Sequence, residues 1–149
     1  MKIEQAIQLD HAIQRDLFDQ LLDTQGESKD RRQLFKRVKH ELAIHADAEE
    51  RYFYVPLIEI DSTQDDARHG IAEHHEIEEL VEQVEQAEMD SSAWLKHAQN
   101  LADKVLHHLE EEEKDYFPKA TKELTQEQRG ELGEQYLEAM LESRKNSQG

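Results

Sequence analysis

A chain of 149 residues has the length of one domain with one core, and it can bury enough apolar surface to fold without covalent staples. Its 35 acidic residues against 18 basic ones leave a net charge of −17, which opposes docking on nucleic-acid phosphates or anionic membrane surfaces. Cysteine is absent, so disulfides, thiolate metal sites and thiol catalysis are excluded. Five glycines and two prolines are too few for a many-stranded β protein, while Glu, Gln, Lys, Leu and Ala favour helix. Equal shares of charged and apolar residues, 36% each, suit amphipathic helices with one apolar stripe apiece. No apolar run approaches a membrane span, and the charged N-terminus lacks a signal-peptide core, so the cytoplasm is the expected compartment.

Five helical segments follow in chain order. The first spans about Ile3 to Leu22, with Ile7, Leu17 and Leu21 on one face. Gly26 stops it, and Ser28 is the expected N-cap of the second, which runs from about Lys29 to Phe53 before Pro56. A third starts after Asp61-Ser62-Thr63 and runs to about Glu88. A fourth spans about Ala93 to Tyr116, with Pro118 marking its end or a kink. Thr125-Gln126-Glu127-Gln128 resembles a capping box opening a fifth helix, whose first turns Gly130 and Gly133 weaken. Short links between long helices predict an all-α fold, an up-down-up-down four-helix bundle with an additional C-terminal helix across one end or along one side. The expected domain covers residues 1–143, and residues 144–149 are expected to be a frayed tail.

The chain repeats itself at an offset of 63 positions. His11 falls on His74, Leu17 on Leu80, Leu21 on Val84, Val38 on Leu101 and Leu42 on Val105. His45 falls on His108, Glu49 on Glu112 and Glu50 on Glu113. Each unit is a helical hairpin with one histidine on its first helix and His-x-x-x-Glu on its second. Residues i and i+4 share a helix face, so each pair aims an imidazole and a carboxylate at one point. Both pairs continue apolar seams: Leu34, Val38 and Leu42 lead to His45 and Glu49, and Leu101 and Val105 lead to His108 and Glu112. Burying such groups without partners costs several kcal/mol each, a cost that cations at the bundle centre remove. Imidazole and carboxylate donors suit transition metals, with the two glutamates placed to bridge two ions and the histidines as terminal ligands.

A single His-x-x-x-Glu on a helix is most often a solvated pair; two copies in register with two single histidines favour the metal reading. Of the glutamate runs Glu49-Glu50 and Glu110–Glu113, one member each is expected to point inward and the rest to meet water. Tyr52, Phe53, Tyr116 and Phe117 are read as core caps, and Trp94 as packing at a helix end. His40, His75 and His107 share faces with charged residues and are read as exposed, while His69 and His97 are read as lacking a partner at metal spacing.

The segments Leu9-Asp10-His11, His45-Ala46-Asp47-Ala48-Glu49-Glu50, Glu73-His74-His75-Glu76-Ile77 and His108–Glu113 followed by Tyr116-Phe117-Pro118 resemble the hemerythrin-like, HHE cation-binding family over about residues 1–143. The resemblance implies a non-haem centre of two iron ions, bridged by two carboxylates and an oxo or hydroxo group and reactive toward dioxygen or peroxide. It implies His11, His45, Glu49, His74, His108 and Glu112 as metal ligands. Oxygen carriers of the family have a second histidine four residues after that of the third helix, where this chain has Glu78. Either Glu78 or solvent would then complete the coordination. The fourth-helix carboxylate, Glu112, also sits one residue before the carriers' aspartate. A carboxylate-rich site favours ferric iron and oxidation over reversible oxygen carriage. Three functions compete on this reading. One is a di-iron protein reacting with dioxygen or peroxide in sensing, detoxification or iron handling. The second is a passive store of divalent cations, and the third a bundle with no metal. The ferritin-like Glu-x-x-His signature is absent, as are P-loop, Rossmann and Ser-triad motifs.

Overall fold

The computed structural model describes residues 1–146, which are helical with no strand. Helix α1 (Ile3–Leu22) is followed by α2 (Lys29–Glu49), whose first turn is capped as expected: the Ser28 hydroxyl accepts from the Arg31 N–H at 3.1 Å. α2 then passes without a break through a π turn, Glu50–Tyr54, into the short α3 (Val55–Ile58). α4 (Gln64–Gln86) and α5 (Ser92–Glu111) form the second hairpin, and α5 likewise passes through a π turn, Glu112–Tyr116, into α6 (Phe117–Glu123). α7 (Gln126–Asn146) opens with a reciprocal capping box, Gln128 N–H donating to Thr125 Oγ1 at 3.0 Å and Thr125 N–H to Gln128 Oε1 at 2.8 Å.

The two prolines widen these helices where an ending was expected. Pro56 has no N–H for the carbonyl of Tyr52, and Pro118 none for that of Lys114; both partners lie inside the π turns. A wider turn relieves the clash between ring and carbonyl, and the helix resumes beyond it.

α1 packs on α2 and α4 on α5, and α7 lies along α1 and α2 rather than across an end. The chain expected to fray from residue 144 is helical through Asn146. Arg144 is tied down by Glu41 (Nε to Oε1, 3.0 Å) and by Asp10 (Nη2 to Oδ1, 2.7 Å). Residues 147–149, the rest of that tail, lie outside the described residues. Among the described residues no helix is long and apolar enough to cross a membrane.

Apolar side chains gather in two clusters. One, near the α1–α2 and α4–α5 turns, is built from Leu17, Phe18, Val38, Val84, Trp94 and Leu101 among others. Its Trp94 ring is covered by the Arg31 guanidinium at 4.4 Å. The other, at the opposite end, includes Ile3, Ile7, Phe53, Tyr54, Phe117 and Tyr136. Along each of α1, α2, α4 and α5 the apolar stripe is interrupted between the clusters, at His11, at His45 and Glu49, at His74, and at His108 with Glu112. The bundle therefore has a polar waist between two apolar ends.

Two glycines of α7 serve different ends. A Cβ on Gly133 would lie 2.0 Å from the Met1 carbonyl oxygen and 2.8 Å from the Lys2 carbonyl carbon, so its absence lets the N-terminal backbone cross the helix. A Cβ on Gly130 would meet nothing within 4 Å. In chemical denaturation, Gly130→Ala is expected to stabilise the protein by about 0.5–1 kcal/mol, the helix-propensity gain. Gly133→Ala is expected to destabilise it by more than about 1 kcal/mol, because backbone must move. Equal effects of the two substitutions would refute this account.

Candidate metal centre

The six residues that the repeat singled out meet in the waist. His11, Glu49 and Glu112 are 0% exposed, His108 2%, His45 3% and His74 8%. His11, His45, Glu49 and Glu112 each offer a nitrogen or oxygen within 4.8 Å of the others, and so do Glu49, His74 and His108. Glu49 belongs to both groups. Its Oε1 lies 3.5 Å from His45 Nε2, 3.0 Å from His74 Nε2 and 3.9 Å from His108 Nε2. Glu112 Oε1 likewise stands between the groups, 3.2 Å from His11 Nε2 and 3.6 Å from His108 Nε2.

All four imidazoles are held from behind by Nδ1. His11 Nδ1 donates to Glu113 Oε2 at 2.7 Å, His74 Nδ1 to Glu50 Oε2 at 3.1 Å, and His108 Nδ1 to Glu73 Oε1 at 2.8 Å. His45 Nδ1 donates to the Tyr136 hydroxyl at 2.7 Å, which itself donates to Asp10. These bonds fix the ring orientation and turn each Nε2 inward, where its lone pair becomes available to a cation once the ring gives up its inner proton. Inside the waist His11 Nε2 and Glu112 Oε1 form a hydrogen bond at 3.2 Å, but Nε2 of His45, His74 and His108 and both oxygens of Glu49 are buried without a hydrogen-bond partner. His74 Nε2 is close to Glu49 Oε1, but not in hydrogen-bonding geometry. Inward lone pairs and an unpartnered buried carboxylate form a donor set that fits cations.

The backing network repeats like the ligands. The Glu112-Glu113 pair straddles His11, and the Glu49-Glu50 pair straddles His74, so each single histidine is gripped by the opposite hairpin. At the offset of 63, Asp10 corresponds to Glu73, and each stands behind the second-helix histidine of its own hairpin. Arg144 bonds Asp10 on one side; Lys104 Nζ bonds Glu73 Oε2 at 3.2 Å on the other. Glu50 and Glu113, expected to meet water, are thus corrected to imidazole acceptors. The π turns place consecutive glutamates on the two nitrogens of one ring.

Glu78 stands apart. Its side chain is 73% exposed, with Oε2 4.0 Å from His75 Nδ1, and it belongs to neither cluster. A four-residue step overshoots a full helical turn by about 40°. From His74, already at the margin of the buried stripe, that step carries Glu78 onto the solvent side of α4. His69 is the converse correction. Its Nε2 lies 3.6 Å from Glu73 Oε1, one turn on, and 3.4 Å from Glu111 Oε1, a third cluster at the surface. Sequence reasoning also missed Tyr54, whose buried hydroxyl donates to Glu112 Oε2, and Tyr136. The register of Asp10 and Glu73 could have revealed the acids; Tyr136 has no counterpart in the repeat.

The electrostatics follow from burial and proximity. Burial pushes the His45 pKa down, but Glu49 and then Asp10 outweigh it and raise it to about 10. Burial likewise lowers His74 and His108, but neighbouring carboxylates, Glu49 and Glu50 at His74 and Glu112, Glu49 and Glu73 at His108, hold both above the usual histidine range. Burial raises Glu49, and His45, His108 and His74 overcome this to hold it well below the usual carboxylate range. Burial and then the negative charges of Glu112 and Glu49 push Tyr54 well up, so it remains a donor.

The family model of the hemerythrin HHE cation-binding domain matches residues 2–120. The chain belongs to this family. HHE domains bind metal cations, and the His/Glu clusters of this chain are candidate positions for them. Its structure superimposes with a TM-score of 0.88 on an HHE cation-binding domain-containing protein of Mycobacterium kansasii, at 20% identity, covering 98% of this chain and 89% of that one. A Nostoc sp. protein described as a DNA nickase is 27% identical over 128 residues, which is 86% of this HHE chain but 36% of the Nostoc protein. The chain therefore spans little more than a third of that relative's length, and the nickase description is that of the Nostoc protein.

For metal-free protein a pH dependence follows. Imidazoles with a folded pKa above the unfolded value, about 6.5, contribute stability that is fully present below that value and lost as pH rises through the folded pKa. For His45 that loss is complete near pH 10. After chelation, the melting temperature is expected to fall steadily as pH is raised from about 7 toward about 10. A melting temperature that rises over that window would contradict the arrangement.

Proposed function

We propose that this HHE domain holds two iron ions in its waist and uses them to react with dioxygen or peroxide. In this reading His11, His45, His74 and His108 would hold the ions together with Glu49 and Glu112, the two carboxylates that stand between the histidine pairs. The observation that carries it is the set of buried, unpartnered Nε2 and carboxylate atoms facing one another across the two hairpins. Nitrogen and oxygen donors without sulfur suit iron better than thiophilic ions. When bound, the two ions would supply the redox chemistry that the side chains lack. The protein's own groups would do the rest. Glu113, Glu50, Glu73 and Tyr136 keep protons on the outer imidazole nitrogens, which raises the basicity of the inner ones. Tyr54 holds its proton at the Glu112 carboxylate and fixes that side chain's orientation. Glu78 is left outside the ligand set.

A cavity of about 470 Å³ between α2 and α4 reaches His45, His74 and His108 from the surface. Its rim carries Asp47, Glu50, Glu78, Glu82 and Glu85 against one cation, Lys39, among the described residues, a net negative charge that favours cations on their way in. The same excess of negative charge supports a small-molecule role over one on nucleic acid.

Protein from iron-rich culture is expected to contain two irons per chain and to absorb in the near ultraviolet. Its ferrous form is expected to change that spectrum on exposure to air. His108→Ala and Glu49→Ala are expected to abolish binding of at least one ion, and chelation of the wild type to lower its melting temperature by several degrees, a linkage effect of about 3 kcal/mol or more. Fewer than two irons at saturation would reject the dinuclear reading. Two ions with no spectral response to air would leave a passive cation store.

A further inference from the structure

The cavity above the waist has one feature that metal binding leaves unexplained. Its buried walls are apolar, with Leu42, Ile77, Val81, Val105 and Leu109, and its floor is His45, His74 and His108. The remaining buried polar group that lines it is Gln14, one turn along α1 from His11 and 2% exposed. The Gln14 Nε2 is buried and has no hydrogen-bond partner. An unpaired buried amide is a standing cost to folding, so it calls for a reason. Shape does not require it. At the offset of 63 the matching residue is Ile77, which lines the same cavity, so the scaffold accommodates an aliphatic side chain at this register.

We propose that Gln14 is the hydrogen-bond donor of a ligand site in this cavity, its Nε2 amide contacting a small acceptor molecule of the size of hydrogen peroxide seated over the metal centre. The inference rests on the di-iron reading and specifies the ligand end of that site. The apolar walls offer a polar ligand no competing partners, and a lone neutral donor selects an oxygen- or nitrogen-ended acceptor without requiring that it carry charge. Among the described lining residues Lys39 and His75 are exposed, Lys39 Nζ being paired with Glu85 at 2.6 Å, which leaves Gln14 as the buried wall donor that sets ligand orientation.

Gln14→Met preserves length and volume and removes the donor. In the iron-loaded protein, azide titration followed optically is expected to show a dissociation constant about tenfold higher for this variant, the effect of one hydrogen bond. Ile77→Val, which alters the wall but no donor, should stay within about twofold of the wild type. In the metal-free protein Gln14→Met should raise the melting temperature, since an unpartnered amide leaves the interior. Gln14→Leu provides a second form of both tests should methionine pack badly. Azide affinity unchanged by loss of the amide overturns the assignment, and so does a lower metal-free melting temperature in both variants, which would show that the amide has a structural partner. A wild type that takes up no iron rejects the di-iron reading itself, whereas an iron-loaded wild type with variant-like azide affinity rejects only the role of Gln14.

Discussion

Two carboxylates and four imidazoles share a space from which water is almost wholly excluded, and the rest of the bundle is organised around making that tolerable. Moving an ionised carboxylate out of water costs several kcal/mol even after relaxation, and attraction to a neighbour repays this only when geometry and hydrogen bonds are good. In the waist the geometry is not good for protons alone: Glu49 lies near three imidazole nitrogens, and none of them forms a hydrogen bond with it. In the metal-free state the surrounding carboxylates shift His45, His74 and His108 upward and so favour their protonated forms. Cations would displace those protons and satisfy several donors at once, so metal binding and folding act on the same side chains. The apolar clusters at either end keep the waist dry, and dryness makes each electrostatic term larger than it would be at the surface.

The duplicated frame explains how so many buried polar atoms are arranged by so short a chain. One hairpin supplies a histidine, a His-x-x-x-Glu pair, a second glutamate one residue on, and an acid one residue before the single histidine. Two hairpins related by this repeat then supply the central arrangement twice, the Glu-Glu pair of each reaching across to the single histidine of the other. The prolines matter here because the π turns they favour lie at the glutamates. In a regular helix, consecutive residues point about 100° apart. The widened turn lets Glu49 and Glu50, and likewise Glu112 and Glu113, serve opposite nitrogens of one ring.

Local rules made much of this legible before any coordinates. Ser28 and the Thr125 box specify helix starts because their hydroxyls have few other uses at those positions, and the inward histidines betray themselves by interrupting apolar seams. What could not be read depends on tertiary placement. Tyr136 reaches His45 only because α7 lies along α1 and α2, which its weakly amphipathic sequence does not dictate. Tyr54 reaches Glu112 because Gly70 leaves room for its ring, a Cβ there falling 2.3 Å from the Tyr54 Cζ. Glu78 occupies the place of the carriers' second histidine, but His74 lies at the edge of the buried stripe and the next turn of α4 carries Glu78 to the solvent side. His69 has Glu73 one turn on, but its other carboxylate neighbour, Glu111, comes from a different helix and is not visible in local spacing.

The two halves are not identical, and their differences bear on what the site can do. Tyr54 of the first hairpin donates to Glu112, whereas the corresponding residue of the second is Phe117, which has no hydroxyl and stacks on His11 at 5.8 Å and 15°. Both oxygens of Glu112 are therefore engaged, one by Tyr54 and one by His11 Nε2 at 3.2 Å, while both oxygens of Glu49 are without a hydrogen-bond partner. On the outer side, His108 is backed directly by the Glu73 carboxylate, but His45 reaches Asp10 through Tyr136. A carboxylate in direct contact donates more electron density to an imidazole than a phenol does. Two cation positions built on such unequal supports would differ in affinity and in potential, despite near-identical ligands in sequence. That asymmetry arises from α7 and from a single Tyr/Phe difference, both outside the His-x-x-x-Glu motifs that define the family resemblance. Among HHE bundles, chemistry can therefore diverge without any change in the six inward side chains.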